Sequence, residues 1–188
     1  MPSLANLSPR SSASSFARRN EFWVQLRGAV IDKMKQFGIT EAGSAHNRAK
    51  MPIRRATSAD LEGVFELAQD FATSFRPEIE AFTASFRLLI AKDDALLLVV
   101  EERDQLVGYL LGFDHYALFA NGRVSWVEEI MVLDASRRQG HGRALMEHFE
   151  QWARSRGSKL VALATRRASA FYLALEYEES ASYFRKLL

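Results

Sequence analysis

A basic turn that carries two glycines, placed between a strand and a helix, constrains the fold of this chain most. Residues 124–133 are apolar around two acids and predict a strand. Gly140 and Gly142 follow a short basic stretch. A helix is then predicted up to Arg156, because its apolar residues recur at helical spacing and Gly157 ends it. The segment therefore predicts a fold that contains both strands and helices.

The same turn has the chemistry of an anion site. Glycine lets the backbone approach a phosphate closely, and the free N–H groups of a helix's first turn point at such a group. Arg137, Arg138 and Arg143 add positive charge. The pattern G-x-G-x-x-G is excluded because position 145 is Leu145, and no Gly-Lys-Ser/Thr of a P-loop is present. The alternative interpretation is a glycine turn at the start of a solvated basic helix.

The rest of the main body predicts further strands and helices. Strands are predicted at residues 53–56, 95–100, 106–113, 124–133, 159–164 and 180–187, and helices from Leu61, over 77–91, up to Arg156 and over 169–175. The order βααβββαβαβ combines hairpins with one βαβ crossover. It predicts an α+β domain in which a mixed, mostly antiparallel twisted sheet is flanked by helices.

Composition and charge exclude several classes of protein. The chain has no cysteine, so disulfides, thiolate nucleophiles and cysteine-ligated zinc are excluded. It has no run of 18 apolar residues, so no transmembrane helix is predicted and we expect a cytoplasmic protein. No two histidines have ligand spacing with a carboxylate, so no metal is expected. Residues 51–188 carry a net charge of −3, which disfavours nucleic acid as a partner of the body.

Residues 1–50 carry a net charge of +5 and predict an extension of the main domain at 51–188. Residues 1–20 are rich in serine and arginine and predict disorder, whereas residues 21–37 predict a short amphipathic helix. Three interpretations stay open: an extension upstream of a start at Met51, an organellar transit peptide, and a basic arm that contacts nucleic acid or acidic lipid. Whether residues 1–50 belong to the mature protein stays open with them.

Two motifs in the body resemble those of one family. Arg-x-x-Gly-x-Gly, after an acidic apolar strand and before an amphipathic helix, resembles the pattern of the GCN5-related N-acetyltransferase (GNAT) family. Residues 168–177, with Phe171 and Tyr172, are similar to that family's A-x-x-F-Y-x-x-L-G-F segment. Two positions depart from the family. Thr165 stands where the family often has asparagine, and Glu176 stands in place of the glycine of L-G-F.

The resemblance implies an acyl-CoA acyltransferase fold and a direct transfer of acetyl from acetyl-CoA to a primary amine of a small molecule or protein. Residues 138–143 would wrap the CoA pyrophosphate with backbone amides. Strands 124–133 and 159–164 would splay apart to admit the pantetheine and acetyl group, with a main-chain N–H near Met131 or Val132 on the thioester carbonyl. The implied cofactor-binding residues are Ile130, Met131, Val132, Arg137, Arg138, Gln139, Gly140, His141, Gly142, Arg143 and Thr165.

The resemblance also implies the residues that move protons. Tyr172 would protonate the leaving CoA thiolate, and its alternative is a core aromatic. Glu128 and Glu129 are adjacent on a strand, which predicts opposite faces, and one of them would serve as the base or as the anchor of the amine. The sequence does not choose between them. The side chain of His141 is predicted to face solvent.

Other functions stay open beside this one. A non-catalytic acyl-CoA-binding or sensing module on the same fold is the main alternative, because function depends on the site and not on the fold. A nucleic-acid-associated regulator that uses the basic arm is the third. A homodimer is compatible with the sequence. The acceptor amine is not identified by it.

Overall fold

The structure, a computed structural model, describes residues 53–72 and 74–187. The predictions made for residues 1–50, including the helix at 21–37, lie outside the described residues. Within the described part of the chain, no helix is both long and apolar enough to cross a membrane.

The described residues form one five-stranded sheet with helices on its two faces. The strands are β1 (Ile53–Arg55), β2 (Ala95–Glu102), β3 (Gln105–Ala117), β4 (Gly122–Val132) and β5 (Val161–Leu163), and they lie in the sheet in this order. The first four strands pair antiparallel, and β5 pairs parallel to β4. The helices are α1 (Leu61–Phe71), α2 (Ile79–Ala91), α3 (His141–Ser155) and α4 (Ser169–Leu173). The predicted α+β class with a mixed, mostly antiparallel sheet is confirmed.

Strand β2 lies at the centre of two cores, one on each face of the sheet. Leu98 and Val100 face the core that contains α3 and α4, whereas Leu97 and Val99 face the core built with α1 and α2. A strand covered on both faces requires apolar residues at successive positions, not at alternate ones. All residues of 95–100 are buried, which is why this run has no polar alternation.

Gly112 of β3 provides the space into which Phe149 of α3 packs. A Cβ at Gly112 would lie 2.3 Å from Cε2 of Phe149 and 2.8 Å from the carbonyl oxygen of Trp126. We expect Gly112→Ala to lower the free energy of unfolding by about 1–3 kcal/mol, because helix α3 must move away from the sheet. Urea denaturation measures this change. Gly122→Ala is the matched control, since its Cβ would lie 3.5 Å from the flexible Lys159 side chain. Equal losses in the two variants would contradict this packing argument.

The prediction of a last strand at residues 180–187 is wrong. This segment has no regular structure and its side chains are exposed, with Phe184 at 89%. Among the described residues no strand of the sheet pairs with this segment, so it has no ladder partner to complete a strand. The last helix is also shorter than predicted and ends at Leu173.

Candidate active site

Strands β4 and β5 pair along one short stretch, and we call this region the wedge, with its closed end at the paired residues and its open end where the pairing stops. They pair only through Ser125–Val161, Trp126–Ala162 and Val127–Leu163. Strand β5 then ends, whereas β4 continues for five residues to Val132 and pairs there with β3 alone. The pairing ends where the predicted splay would begin, and the splay itself stays a prediction. The β4 backbone beyond Val127 therefore has no strand partner on its β5 side among the described residues.

Polar contacts hold the closed end of the wedge together. The hydroxyl oxygens of Ser125 and Ser158 lie 2.7 Å apart, which joins the start of β4 to the turn before β5. Asp114 of β3 is buried and forms ion pairs with Arg123 and with Arg156, whose Nε lies 2.9 Å from its Oδ2. Because Arg156 follows α3, this cluster ties the helix to the end of the sheet that is opposite the basic turn.

Glu128 is an extra residue in β4, at the point where the wedge begins to open. Gly112 lies opposite Val127 and Leu111 lies opposite Glu129, so Glu128 has no counterpart on β3. This is a β-bulge, which breaks the alternation of side chains along the strand. The prediction that Glu128 and Glu129 face opposite sides assumes a regular strand, and the strand is irregular here. Through its pairing with Leu111, Glu129 lies on the face covered by α1 and α2.

Glu129 is held by a tyrosine that no sequence motif marks. The Tyr109 hydroxyl donates a hydrogen bond of 2.7 Å to Oε2 of Glu129. Tyr109 is only 1% exposed and Glu129 is half-buried, whereas Glu128 is exposed. Burial raises the pKa of Glu129, the hydrogen bond from Tyr109 opposes this shift, and the charge of Glu128 adds to it. The net result is a carboxyl group whose pKa lies above its ordinary value.

The basic turn begins α3 with N–H groups that have no helical acceptor. Arg138 and Gly140 adopt positive φ values of 61° and 95°, and Gly140 occupies the N-cap position. The first helical bond runs from the Ala144 N–H to the Gly140 carbonyl, at 3.0 Å. The N–H groups of residues 141–143 are therefore left without an acceptor inside the helix. Such a turn fits an anion, as the sequence predicts.

Two of the predicted arginines also hold the turn in place. Arg137 forms an exposed ion pair of 2.7 Å with Asp134. Arg143 donates a hydrogen bond of 3.1 Å to the carbonyl of Ala174, which follows α4. Arg138 is exposed. The charges predicted for this turn are therefore placed around it, and two of the three side chains have a partner within the fold.

The prediction for His141 is wrong, because this side chain is buried. It is 3% exposed, and its Nε2 lies 3.6 Å from Oε2 of Glu102. Among the described residues, neither ring nitrogen has a hydrogen-bond partner. The helical spacing of Leu145 and Phe149 extends backward by one turn to position 141, and this signal places His141 on the buried face of α3.

The second motif lies directly against the first. A Cβ at Gly142 would lie 3.2 Å from Cζ of Phe171, so α4 packs on the first turn of α3. Tyr172 is 8% exposed and has edge-on contacts with Phe171 and Tyr177, at centroid distances of 5.0 and 6.0 Å. Burial raises the pKa of Tyr172, so its hydroxyl keeps its proton at neutral pH. No hydrogen bond joins that hydroxyl to another described residue.

The two positions that depart from the family pattern have structural explanations. The Thr165 hydroxyl accepts a hydrogen bond of 3.1 Å from the Ala168 N–H, and so supports the turn that leads into α4. Glu176 has a φ of 66°, the left-handed conformation that favours glycine. The backbone thus keeps the turn although the glycine is absent.

Three further predicted residues lie along the open part of β4. Ile130 and Val132 are half-buried and pack on the core that contains α3. Met131 is buried on the opposite face, with α1 and α2. Among the described residues, no group of three or more histidine or acidic side chains is placed to hold a metal ion.

Comparison with known proteins gives a consistent result. Residues 61–177 match the model of the Acetyltransferase (GNAT) family. The uncharacterized N-acetyltransferase YhfO of Bacillus subtilis is 21% identical over 139 residues, which are 71% of this chain and 93% of that protein. Glucosamine-6-phosphate N-acetyltransferase from Arabidopsis thaliana has a similar fold, with a TM-score of 0.66 and 19% identity over 73% of this chain and 99% of that one. AAC(6')-Iy, solved with the bisubstrate analogue CoA-S-monomethyl-acetylneamine, gives a TM-score of 0.62 and 20% identity over 73% of this chain and 99% of that one.

Proposed function

The chain belongs to the Acetyltransferase (GNAT) family and is an acyltransferase; on this premise we propose that it transfers acetyl from acetyl-CoA directly to a primary amine. One observation carries this proposal. The wedge between β4 and β5 opens beside the anion turn, with Tyr172 packed on the α3 face of the sheet and Glu129 on the α1 and α2 face. We infer that these two residues act as acid and base from opposite faces of the sheet.

The residues of the turn fit the pyrophosphate of CoA. The N–H groups of residues 141–143 have no helical acceptor, and the left-handed Gly140 leaves no side chain in front of them. These amides, with Arg138 beside them, bind the phosphate oxygens. The open part of β4, residues 130–132, binds the pantetheine arm along its unpaired edge. Acetyl-CoA supplies the activated acetyl group as a thioester.

Each proton in the reaction has a place to go. The amine nitrogen forms its bond to the acetyl carbon as the carbon–sulfur bond breaks. Glu129 takes the proton that the ammonium group loses before it attacks, since a raised pKa makes this carboxylate a stronger base. The second proton on nitrogen, released as the amide forms, passes to solvent. Tyr172 gives a proton to the departing thiolate and regains one from solvent. The exposed Glu128, next to the base, attracts the cationic amine. The chain has no cysteine to hold the acetyl group, which supports direct transfer.

The relatives indicate the chemical range of acceptors to test. One similar structure is named for glucosamine 6-phosphate, and another was solved with the bisubstrate analogue CoA-S-monomethyl-acetylneamine. We propose that the acceptor of this chain is a primary amine of a small molecule or a peptide. A non-catalytic acyl-CoA-binding module is the second candidate, and it predicts binding without turnover.

A panel of amines tests the proposal against that alternative. Acetyl-CoA is incubated with the protein and with glucosamine 6-phosphate, an aminoglycoside, a polyamine or a lysine-containing peptide, and released CoA thiol is measured. We expect thiol release above the rate of hydrolysis with at least one amine, and loss of this release in Glu129→Gln. Binding of acetyl-CoA by calorimetry, with no thiol release for any amine, would contradict the enzyme and support the module.

A further inference from the structure

We propose that Tyr109 is a positioning residue for the base Glu129: its buried hydroxyl fixes one carboxylate oxygen and sets the pH at which the base becomes active. This inference rests on the proposed function, because it assigns Tyr109 a role in the same reaction. It begins from a hydrogen bond between side chains of two neighbouring strands. A tyrosine at the centre of the sheet uses its hydroxyl on a carboxylate of the neighbouring strand, at 2.7 Å.

Packing leaves Tyr109 little freedom to move. It is 1% exposed and lies in the core formed with α1 and α2. The ring of Phe71 lies edge-on to it, with centroids 6.4 Å apart and planes at 75°. Because the ring is held on its sides, the hydroxyl has a fixed position and Glu129 must come to it. A base held in one orientation loses less conformational freedom when it engages a substrate.

The bulge at Glu128 makes this contact possible. Continued from Gly112 and Val127, a regular ladder would place Glu128 opposite Leu111, and Glu129 opposite Leu110, which lies in the other core. The extra residue moves Glu129 by one position and brings it opposite Leu111, on the face of Tyr109. The two glutamates therefore differ in their surroundings: Glu129 has a hydrogen-bonded anchor, and Glu128 is exposed.

Opposing effects act on the ionisation of Glu129. Burial raises its pKa and the neighbouring charge of Glu128 raises it further, whereas the Tyr109 hydrogen bond favours the carboxylate and lowers it. Burial also raises the pKa of Tyr109, so the hydroxyl remains a donor throughout the working range. Among the described residues, α1, α2 and β5 contribute no titratable group that acts on Glu129. Tyr109 is thus the one described group that holds the carboxyl ionised.

Tyr109→Phe tests this role with little change in shape. Removal of the hydroxyl should raise the pKa of Glu129 by about one unit, the order expected for one hydrogen bond to a carboxylate. The measurement is a pH titration of the carboxyl carbon signals in protein labelled with ¹³C-glutamate, where Glu129→Gln identifies the signal. Tyr116→Phe is the matched control, because this tyrosine lies on the same strand but is 75% exposed. An unchanged Glu129 pKa in folded Tyr109→Phe would overturn the proposal.

A kinetic experiment tests the same role with an amine that the protein acetylates in the panel of amines described above. The base acts when deprotonated, so a higher pKa moves the rise of kcat/KM with pH upward by about one unit. Tyr109→Phe should then be about tenfold slower below that rise and nearly equal to the parent protein above it. A purely structural role predicts the same loss at every pH, and that result would overturn the proposal.

A second measurement does not depend on the folding of Tyr109→Phe. In the parent protein labelled at the tyrosine ring carbon that bears the hydroxyl, the Tyr109 signal should shift over the same pH range in which Glu129 titrates, and should stay constant in Glu129→Gln. A constant signal in the parent protein would show that the two groups are not coupled. If no amine is acetylated, the proposed function fails, whereas the titrations still decide whether Tyr109 controls this carboxyl.

Discussion

Replacing Tyr172 by phenylalanine is expected to slow acetyl transfer by roughly 10²- to 10⁴-fold, the usual effect of losing one general acid. The ring remains and with it the contacts to Phe171 and Tyr177, so stability and affinity for acetyl-CoA should change little. The thiolate must then leave without a proton from the protein. Single-turnover transfer at saturating acetyl-CoA measures the chemical step, and it avoids rate limitation by product release.

Tyr177→Phe is the matched control for this variant. Tyr177 is half-buried in the same aromatic cluster, and its hydroxyl donates a hydrogen bond of 3.2 Å to Glu150. Its loss should reduce stability slightly and leave the transfer rate unchanged. If folded Tyr172→Phe keeps the parent rate, Tyr172 is a core aromatic and not the acid. If it keeps the rate but binds CoA more weakly, Tyr172 is a contact of the cofactor.

Gly140→Ala should weaken CoA binding by about 100-fold or more, which corresponds to about 2.7 kcal/mol. At a φ of 95° an alanine is strained, and the peptide relieves this strain only by rotating away from the left-handed region. That rotation redirects the N–H groups that follow at the start of α3. Isothermal titration calorimetry with CoA measures the loss.

Gly157→Ala is the matched control, because it introduces a similar backbone strain at a position away from the anion turn. Gly157 lies just past the other end of α3 with a φ of 77°, and a Cβ there would meet no atom within 4 Å. Its substitution should cost a similar amount of stability and leave CoA affinity unchanged. If both variants bound CoA with the parent affinity while folded, the turn would not be the pyrophosphate site.

Local patterns were sufficient for the parts of the fold in which neighbouring residues decide the structure. The run at residues 95–100 predicts a strand buried on both faces, and all six residues are buried. The glycine turn before α3 was also predictable, because its backbone conformation depends on Gly140 itself. The pairing of β4 with β5, and its early end, followed from the family resemblance and not from the residues alone.

The features that the sequence did not predict depend on contacts between residues that are distant in sequence. The bulge at Glu128 is a property of the register between β3 and β4, and no residue in β4 marks it. When the bulge is not known, the sequence gives no basis for choosing between Glu128 and Glu129, and it does not predict the contact of Glu129 with Tyr109. The strand predicted at residues 180–187 was wrong for a related reason. The composition of this segment suits a strand, but a strand forms only where another strand is placed to pair with it.

The wedge has an uneven stiffness that bears on what can be transferred. Three ladder pairs, the Ser125–Ser158 contact and the ion pairs of Asp114 all reinforce one end, whereas β4 beyond Val127 has no strand partner on its β5 side among the described residues. If acyl-CoA enters here as proposed, we expect any spreading of the strands to occur beyond Val127 and Leu163, where the pairing ends. We then expect transfer to be faster with acetyl than with a long or branched acyl group, because a wider group must spread the strands further.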